Sequence, residues 1–155
     1  MGVSVATKGD TALRLRHRFK AAPERIFAAW TTPKALRRWW CPPGWYPTEV
    51  AIDLRVGGRY QFSMQRESGV QVITVRGCFL EVEPPRRLSY TWNWDGAFPG
   101  MSETQVTIDF YAVEGGTEIA LKQEPIDMHV CGRHLSGWLD AFLRIREAVD
   151  LGLQL

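Results

Sequence analysis

Apolar residues recur at steps of three and four along the last part of the chain, from Gly132 to Leu151. This spacing predicts one long amphipathic helix, roughly 30 Å in length, with a continuous apolar stripe. The residues of that stripe are Leu135, Trp138, Leu139, Phe142, Ile145 and Val149. Asp140 and Arg144 fall on the other side, at a spacing that favours an ion pair between them. Gly137, which precedes Trp138, predicts a close approach of another backbone segment.

Strict alternation of apolar and polar residues predicts a β-strand from Ala12 to Lys20. Its inward face includes His17, which we expect to be a buried core histidine, and its outward face carries a row of arginine and lysine side chains. Such a row is more typical of an edge strand that avoids pairing with other chains than of a phosphate site. Pro23 and Pro33 then indicate the starts of two short helices, which end before Pro42.

Further alternating segments follow, separated by short turns at glycines and prolines. They cover residues 48–54, 60–64, 70–82, 88–94, 106–110 and 119–123. In the first of them Val50, Ile52 and Leu54 are expected to share one face, and Gly77 predicts a bulge or bend. About seven strands joined by short turns predict an antiparallel sheet. Such a sheet must cover its apolar face, so we expect it to bend around the terminal helix and to leave a space between the two.

The length of 155 residues predicts a single domain, with residues 1–10 as a polar leader. The net charge of +2 is too small to favour nucleic acid or an anionic membrane as a partner. We expect neither a membrane-spanning segment nor a secretion signal, because no apolar run has the required length or position. The cysteines are odd in number and not closely spaced, which predicts reduced thiols in a cytoplasmic protein.

A set of short motifs lies in order along residues 12–150. They are Trp39-Trp40-Cys41-Pro42-Pro43-Gly44, Asp53-Leu54-Arg55-Val56-Gly57-Gly58-Arg59-Tyr60, Gly69, Gly77 through Pro84-Pro85, Leu88-Ser89-Tyr90-Thr91-Trp92, Gly116-Thr117 and Gly137-Trp138. The ordered set resembles the helix-grip domains of the START-like (SRPBCC) superfamily, and within it the family of homologues of the heat-shock-protein-90 ATPase activator. The segment from Met128 to His134 departs from the acidic, helix-leading segment that is usual in that family.

The resemblance implies an α+β fold in which a curved antiparallel sheet of six to seven strands wraps around a long C-terminal helix. It also implies two short helices after the first strand. Relatives in the superfamily include carriers of hydrophobic molecules, polyketide cyclases and aromatases, and a co-chaperone domain. The family has no shared catalytic set, so the resemblance assigns no catalytic residue to this chain, and we expect no cofactor.

Bulky rings are concentrated on the strand and helix faces that we expect to point inward. Together with one amide and one histidine they form the predicted ligand site, which consists of Tyr60, Phe62, Tyr90, Trp92, Trp94, Gln123, His134, Trp138 and Phe142. Tyr hydroxyl and Trp N–H groups suit a pocket for a flat or oily ligand, because they combine apolar area with a hydrogen bond. The alternative is that the same rings fill the core and leave no pocket.

Metal binding and catalysis are less favoured by the sequence. His129, Cys131 and His134 could together ligate zinc, but no fourth ligand lies nearby, so we expect no metal site. His134 is expected instead to line the pocket mouth or to cap the helix start. The motifs G-x-S-x-G, G-x-G-x-x-G and H-E-x-x-H do not occur.

The function predicted best is therefore the binding of a small hydrophobic or aromatic molecule between the terminal helix and the sheet. A cyclase- or aromatase-like enzyme, with His134 as acid or base, is one alternative. A protein-interaction module resembling the co-chaperone is another, although we expect the chain to lack the extra domain that such activators use for docking. The sequence leaves the identity of the ligand and the oligomeric state open, a homodimer included.

Overall fold

The computed structural model describes residues 3–4, 12–95, 102–126 and 128–150, of which 3–4, 128–132 and 150 are described by their backbone alone. Within these residues the strands are β1 Val3–Ser4, β2 Leu13–Phe19, β3 Trp45–Ile52, β4 Arg59–Arg66, β5 Val72–Glu83, β6 Arg87–Asp95, β7 Thr104–Val113 and β8 Gly116–Glu124. The helices of the same part of the chain are α1 Pro23–Thr31, α2 Pro33–Trp39 and α3 Met128–Asp150. None of these helices is both long and apolar enough to cross a membrane.

The strands form one antiparallel sheet in the order β1-β2-β8-β7-β6-β5-β4-β3. β2 and β8 pair along their whole length, from Leu13 opposite Gln123 to Phe19 opposite Thr117. This pairing brings the first long strand beside the last one, so the helices that follow β2 and β8 lie over the same sheet. The curved antiparallel sheet, the two short helices and the long C-terminal helix confirm the predicted α+β helix-grip fold.

The ends of several elements differ from the prediction. Val3–Ser4 pairs with β2, so part of the predicted polar leader is a short edge strand. β3 ends at Ile52, because the chain turns back there and the Asp53 N–H donates to the Arg59 carbonyl oxygen at 2.9 Å. Leu54 therefore lies in the turn with 38% of its surface exposed, and the prediction that it continues the strand face of Val50 and Ile52 is wrong.

Gly77 does not itself form the predicted bulge. It lies where β6 comes so close to β5 that a Cβ atom at this position would stand 2.1 Å from the Thr91 carbonyl oxygen. The change of register falls between Phe79 and Glu81. The glycine therefore permits close contact of two strands, and the extra residue that bends β5 follows it.

The cations on β2 face a carboxylate of the neighbouring strand. Arg16 and Arg18 donate to Glu118 on β8 at 3.1 and 3.0 Å. The hydrogen bond from Arg18 lowers the pKa of Glu118, because it favours the ionised carboxylate. This cross-strand pairing agrees with the structural interpretation of the arginine row rather than with a phosphate site.

His17 is buried in the core as predicted, with 2% of its surface exposed. Its ring stacks on Phe142 of α3 at a centroid distance of 5.3 Å and meets Phe19 edge-on at 4.7 Å. Burial, followed by the positive charge of Arg146, lowers its pKa below the usual value of 6.5. At neutral pH the folded protein therefore favours the neutral form of His17.

We expect the free energy of unfolding to fall as the pH is lowered below about 6.5, the pKa of a histidine in the unfolded chain. In that range the unfolded chain binds a proton that the folded protein excludes, so stability decreases by up to about 1.4 kcal/mol per pH unit until the lower native pKa is reached. Urea unfolding at pH 7.5, 6.5 and 5.5 measures the slope. The matched variant His17→Phe should lose this contribution, and equal slopes for the two proteins would contradict the assignment.

Candidate ligand-binding site

A cavity of about 220 Å³ lies between α3, the end of α2 and the inner face of the sheet; we call it the main cavity. Its wall on the side of the sheet and α2 consists of Trp39, Trp40, Pro42, Met64, Trp92 and Trp94. Trp39, Met64 and Trp92 are buried, and the Trp39 indole N–H donates to the Ala29 carbonyl oxygen at 2.7 Å. The α1–α2 connection thus holds this part of the wall in place.

Helix α3 presents two different stripes to the interior. The apolar stripe of Trp138, Phe142, Ile145 and Val149 is buried against the core. The adjacent stripe, which we call the cavity stripe, faces the main cavity and consists of Arg133, His134, Gly137, Asp140, Ala141 and Arg144. Its spacing of three and four residues is that of one helix face.

Small residues in the middle of the cavity stripe leave the space open. A Cβ atom at Gly137 would have no other atom within 4 Å, so the predicted close approach of a backbone segment is wrong. Ala141, one turn further along α3, is 4% exposed and contributes only a methyl group to the wall. Larger side chains at these two positions would occupy the cavity.

Three of the ring residues selected from the sequence fill the interior beside the main cavity. Tyr60, Phe62 and Tyr90 pack at centroid distances of 5.0 and 5.3 Å and leave a space of only about 10 Å³. Burial raises the pKa of both tyrosines, and the Tyr60 hydroxyl donates to the Thr91 carbonyl oxygen. This part of the predicted site is core.

Gln123 and Phe142 lie behind the cavity wall. Gln123 is fully buried, and its Oε1 accepts from the Trp138 indole N–H at 2.9 Å while its Nε2 donates to Thr104 Oγ1 at 2.9 Å. Phe142 contacts His17, as described above. The amide therefore fixes the position of Trp138, and it does not contact the main cavity.

The four remaining candidates, Trp92, Trp94, His134 and Trp138, do line the main cavity. Their rings lie close together, with Trp92 at 5.4 Å from Trp94 and 5.7 Å from Trp138. The N–H groups of these indoles are not offered to the cavity: that of Trp138 is bound to Gln123, and that of Trp94 donates to His134 Nε2 at 3.3 Å. The Trp92 Nε1 is buried and faces no hydrogen-bond acceptor among the residues that the structure describes. The indoles therefore supply apolar faces.

Charged groups at the margin of the main cavity supply its polarity. The Arg144 Nε donates to the Trp39 carbonyl oxygen at 2.6 Å, at the end of α2, where a helix leaves carbonyl groups without partners. Arg144 is half-buried, which lowers its pKa, while the nearby Asp140 carboxylate acts in the opposite direction. No ion pair joins Asp140 to Arg144 among the described residues, so the predicted pair is wrong.

The groups available for covalent or acid–base chemistry are restricted. Burial raises the pKa of the Cys41 thiol to about 11, which keeps it protonated at neutral pH. His134 Nε2 already accepts a hydrogen bond from Trp94. The side chains of His129 and Cys131 lie outside the described residues, and among the described ones no three histidine, cysteine or acidic side chains are grouped to hold a metal ion. The arrangement is suited to binding.

The family follows from a comparison of the sequence with known families. The model described as "Activator of Hsp90 ATPase homolog 1-like protein" matches residues 20–150. The chain belongs to this family. The predicted membership of the heat-shock-protein-90 activator homologues, within the START-like (SRPBCC) superfamily, is therefore confirmed. Among proteins of curated function, none matches the chain.

Several solved structures of similar length resemble this chain over nearly its whole length. A Chromobacterium violaceum protein is 28% identical with a TM-score of 0.81, and the alignment covers 90% of this chain and 96% of that one. The AHSA1 protein of Silicibacter pomeroyi is 27% identical with a TM-score of 0.79, covering 91% and 99%. A Rhodobacter sphaeroides protein is 25% identical with a TM-score of 0.84, covering 97% of both chains.

Several residues of the main cavity were not in the predicted site. On the side of the sheet and α2 these are Met64, Pro42 and the Trp39-Trp40 pair, and on α3 they are the small and charged members of the cavity stripe. The sequence does place Arg133, Gly137, Asp140 and Arg144 at helical spacing. A polar stripe is usually exposed to solvent, however, and only the position of α2 shows that this one has a wall opposite it.

Proposed function

We propose that this activator-homologue family member binds a small hydrophobic or aromatic molecule in the main cavity, between α3 and the sheet. The observation that carries the proposal is an open space of about 220 Å³ whose wall consists mainly of tryptophan faces and Met64. Flat rings bind well between such faces, because offset and edge-to-face contacts add to the burial of apolar surface. The reduced cysteines expected from the sequence support a cytoplasmic location.

The size of the main cavity limits the ligand. A cavity of about 150 Å³ is enough to hold benzene. The main cavity has about 220 Å³, which suits a substituted single ring or two small fused rings. Each Å² of apolar surface removed from water contributes about 25 cal/mol before the costs of association are subtracted. We therefore expect dissociation constants between about 1 mM and 1 μM for neutral ligands of this size.

The neutral bicyclic compound 2-naphthamide provides the test. We expect it to quench the tryptophan fluorescence of the purified protein and to raise its melting temperature. At about ten times Kd, a ligand that binds only the folded state stabilises it by about 1.4 kcal/mol, which corresponds to roughly 3–6 °C for a chain of this size. Native mass spectrometry of the same sample should show one bound molecule.

A wider screen decides the outcome if 2-naphthamide is a poor choice of ligand. The same measurements are made with fatty acids, sterols and substituted benzenes. A protein that purifies without bound mass and shows no shift with any member of the panel would contradict the proposal.

A further inference from the structure

We infer that the ligand of the main cavity carries a carboxylate and that Arg144 binds it. This inference rests on the proposed binding function and adds the chemical class of the ligand: an aromatic carboxylic acid of one or two rings. It follows from the hydrogen-bonding groups that line the cavity, the setting of Arg144 and the balance of charge along α3.

The apolar wall offers few polar contacts. The N–H groups of Trp138 and Trp94 are bound to Gln123 and His134, and that of Trp92 is inaccessible. The Trp39 N–H is also bound, to the Ala29 carbonyl oxygen, so a polar group on a ligand is recognised by the Trp40 N–H or by the charged members of the cavity stripe. Those are two guanidinium groups, of Arg133 and Arg144, and one carboxylate, of Asp140.

Arg144 is the better placed of the two arginines. Its Nε is held by the Trp39 carbonyl oxygen at 2.6 Å, and this is its only hydrogen bond to a described residue. Its terminal nitrogens are therefore available, on a side chain that is half-buried and already oriented. A guanidinium group matches a carboxylate through two parallel N–H···O bonds, and partial burial strengthens such a contact.

Arg133 is exposed and lies about 16 Å from Arg144 along the helix axis, as the rise of 1.5 Å per residue requires. One small ligand cannot place its carboxylate at both arginines. Water and salt screen the exposed charge more strongly. The acidic group is therefore assigned to the Arg144 end, and the rings to the tryptophan faces.

The Asp140 carboxylate repels an anionic ligand, but its exposed position leaves Arg144 accessible. It is exposed, lies one turn before Arg144 on α3 and makes no ion pair with it in the described part of the chain. At this end of the cavity the Asp140 carboxylate therefore offsets part of the attraction of Arg144 for an anion. Removal of the Asp140 charge should consequently improve binding of an acid and leave binding of a neutral ligand unchanged.

The test compares 2-naphthoic acid, 2-naphthamide and 2-naphthylmethylamine at pH 7.5, which share one ring system and differ in charge. We expect the acid to bind at least about tenfold more tightly than the amide, since a hydrogen bond to a charged group contributes that much or more. Arg144→Gln should remove this preference, whereas Arg146→Gln, which lies on the same helix outside the cavity wall, should preserve it. Arg133→Gln should change the affinity for the acid less than threefold.

Asp140→Asn provides an independent measurement if Arg144→Gln disturbs the end of α2. It should tighten binding of the acid about threefold and leave the amide unaffected. Equal affinities for acid and amide would overturn the carboxylate assignment and leave the proposed function intact. Tighter binding of the amine would also overturn it, in favour of Asp140 as the recognition group. If none of the three compounds binds, the carboxylate assignment is overturned, and the wider screen of fatty acids, sterols and substituted benzenes decides the proposed function separately.

Discussion

Replacement of Gly137 by phenylalanine is expected to remove ligand binding while the protein stays folded. Gly137 lines the main cavity, and a Cβ atom there has open space around it. A phenyl ring that enters this space displaces the ligand from the tryptophan faces. The ligand then loses the free energy of burying an apolar group as large as one aromatic side chain, about 2.7 kcal/mol. This loss corresponds to about a hundredfold weaker binding.

The control is Gly137→Ala, which adds one methyl group and leaves most of the cavity open. Because alanine is favoured over glycine inside a helix, this variant should be more stable by about 0.5–1 kcal/mol and should bind 2-naphthoic acid nearly as well as the unchanged protein. Fluorescence titration gives the affinities, and thermal unfolding gives the stabilities. Unchanged affinity in Gly137→Phe, with the ring seen inside the cavity in a crystal structure, would exclude the main cavity as the ligand site.

The second large effect is expected for Gln123→Leu, which should reduce the free energy of unfolding by about 2–3 kcal/mol. Gln123 is fully buried and bonds to Trp138 and Thr104. Leucine has a similar volume, so little cavity forms, but the Trp138 N–H loses its acceptor in an environment without water. A decrease of roughly 4–12 °C in melting temperature should follow for a chain of this length.

A double-mutant cycle with Trp138→Phe identifies the cause. In the Trp138→Phe background no N–H group remains to be left without a partner, so Gln123→Leu should cost about 1–2 kcal/mol less. Urea unfolding of the four proteins measures this coupling energy. Equal costs in both backgrounds would show that Gln123 stabilises the protein through other contacts.

Gln123 is buried as the sequence predicts, but it binds other side chains and does not line the main cavity. Its position in phase with Ile119 and Leu121 predicts an inward amide, and a buried amide must find partners. Those partners are Trp138 and Thr104, which are distant in sequence. Periodicity predicts that the side chain is buried, but it does not predict which group receives the hydrogen bond.

The fold was predictable because its signals are local and repeated. Alternation in segments such as Leu13–Phe19, together with turns such as the one before Gly116, specifies antiparallel strands. The regular apolar spacing that includes Trp138 and Phe142 specifies the long helix. Ordered motifs then identified the family. Each of these signals depends on neighbours within a few positions of the same element, so the sequence alone determined most of the elements. Their arrangement around the terminal helix followed from the need to cover the sheet and from the family resemblance.

The open or filled state of the interior was decided only by the tertiary structure. Tyr60 and Trp92 have the same inward phase in their strands, yet one lies in a closely packed cluster and the other in the wall of a cavity. The difference arises in part from Gly137, which lines the same cavity as Trp92 from another element and has no side chain to fill the space. Whether a cavity exists depends on the combined volume of side chains from α2, α3 and the sheet, and no pattern within one element records that sum.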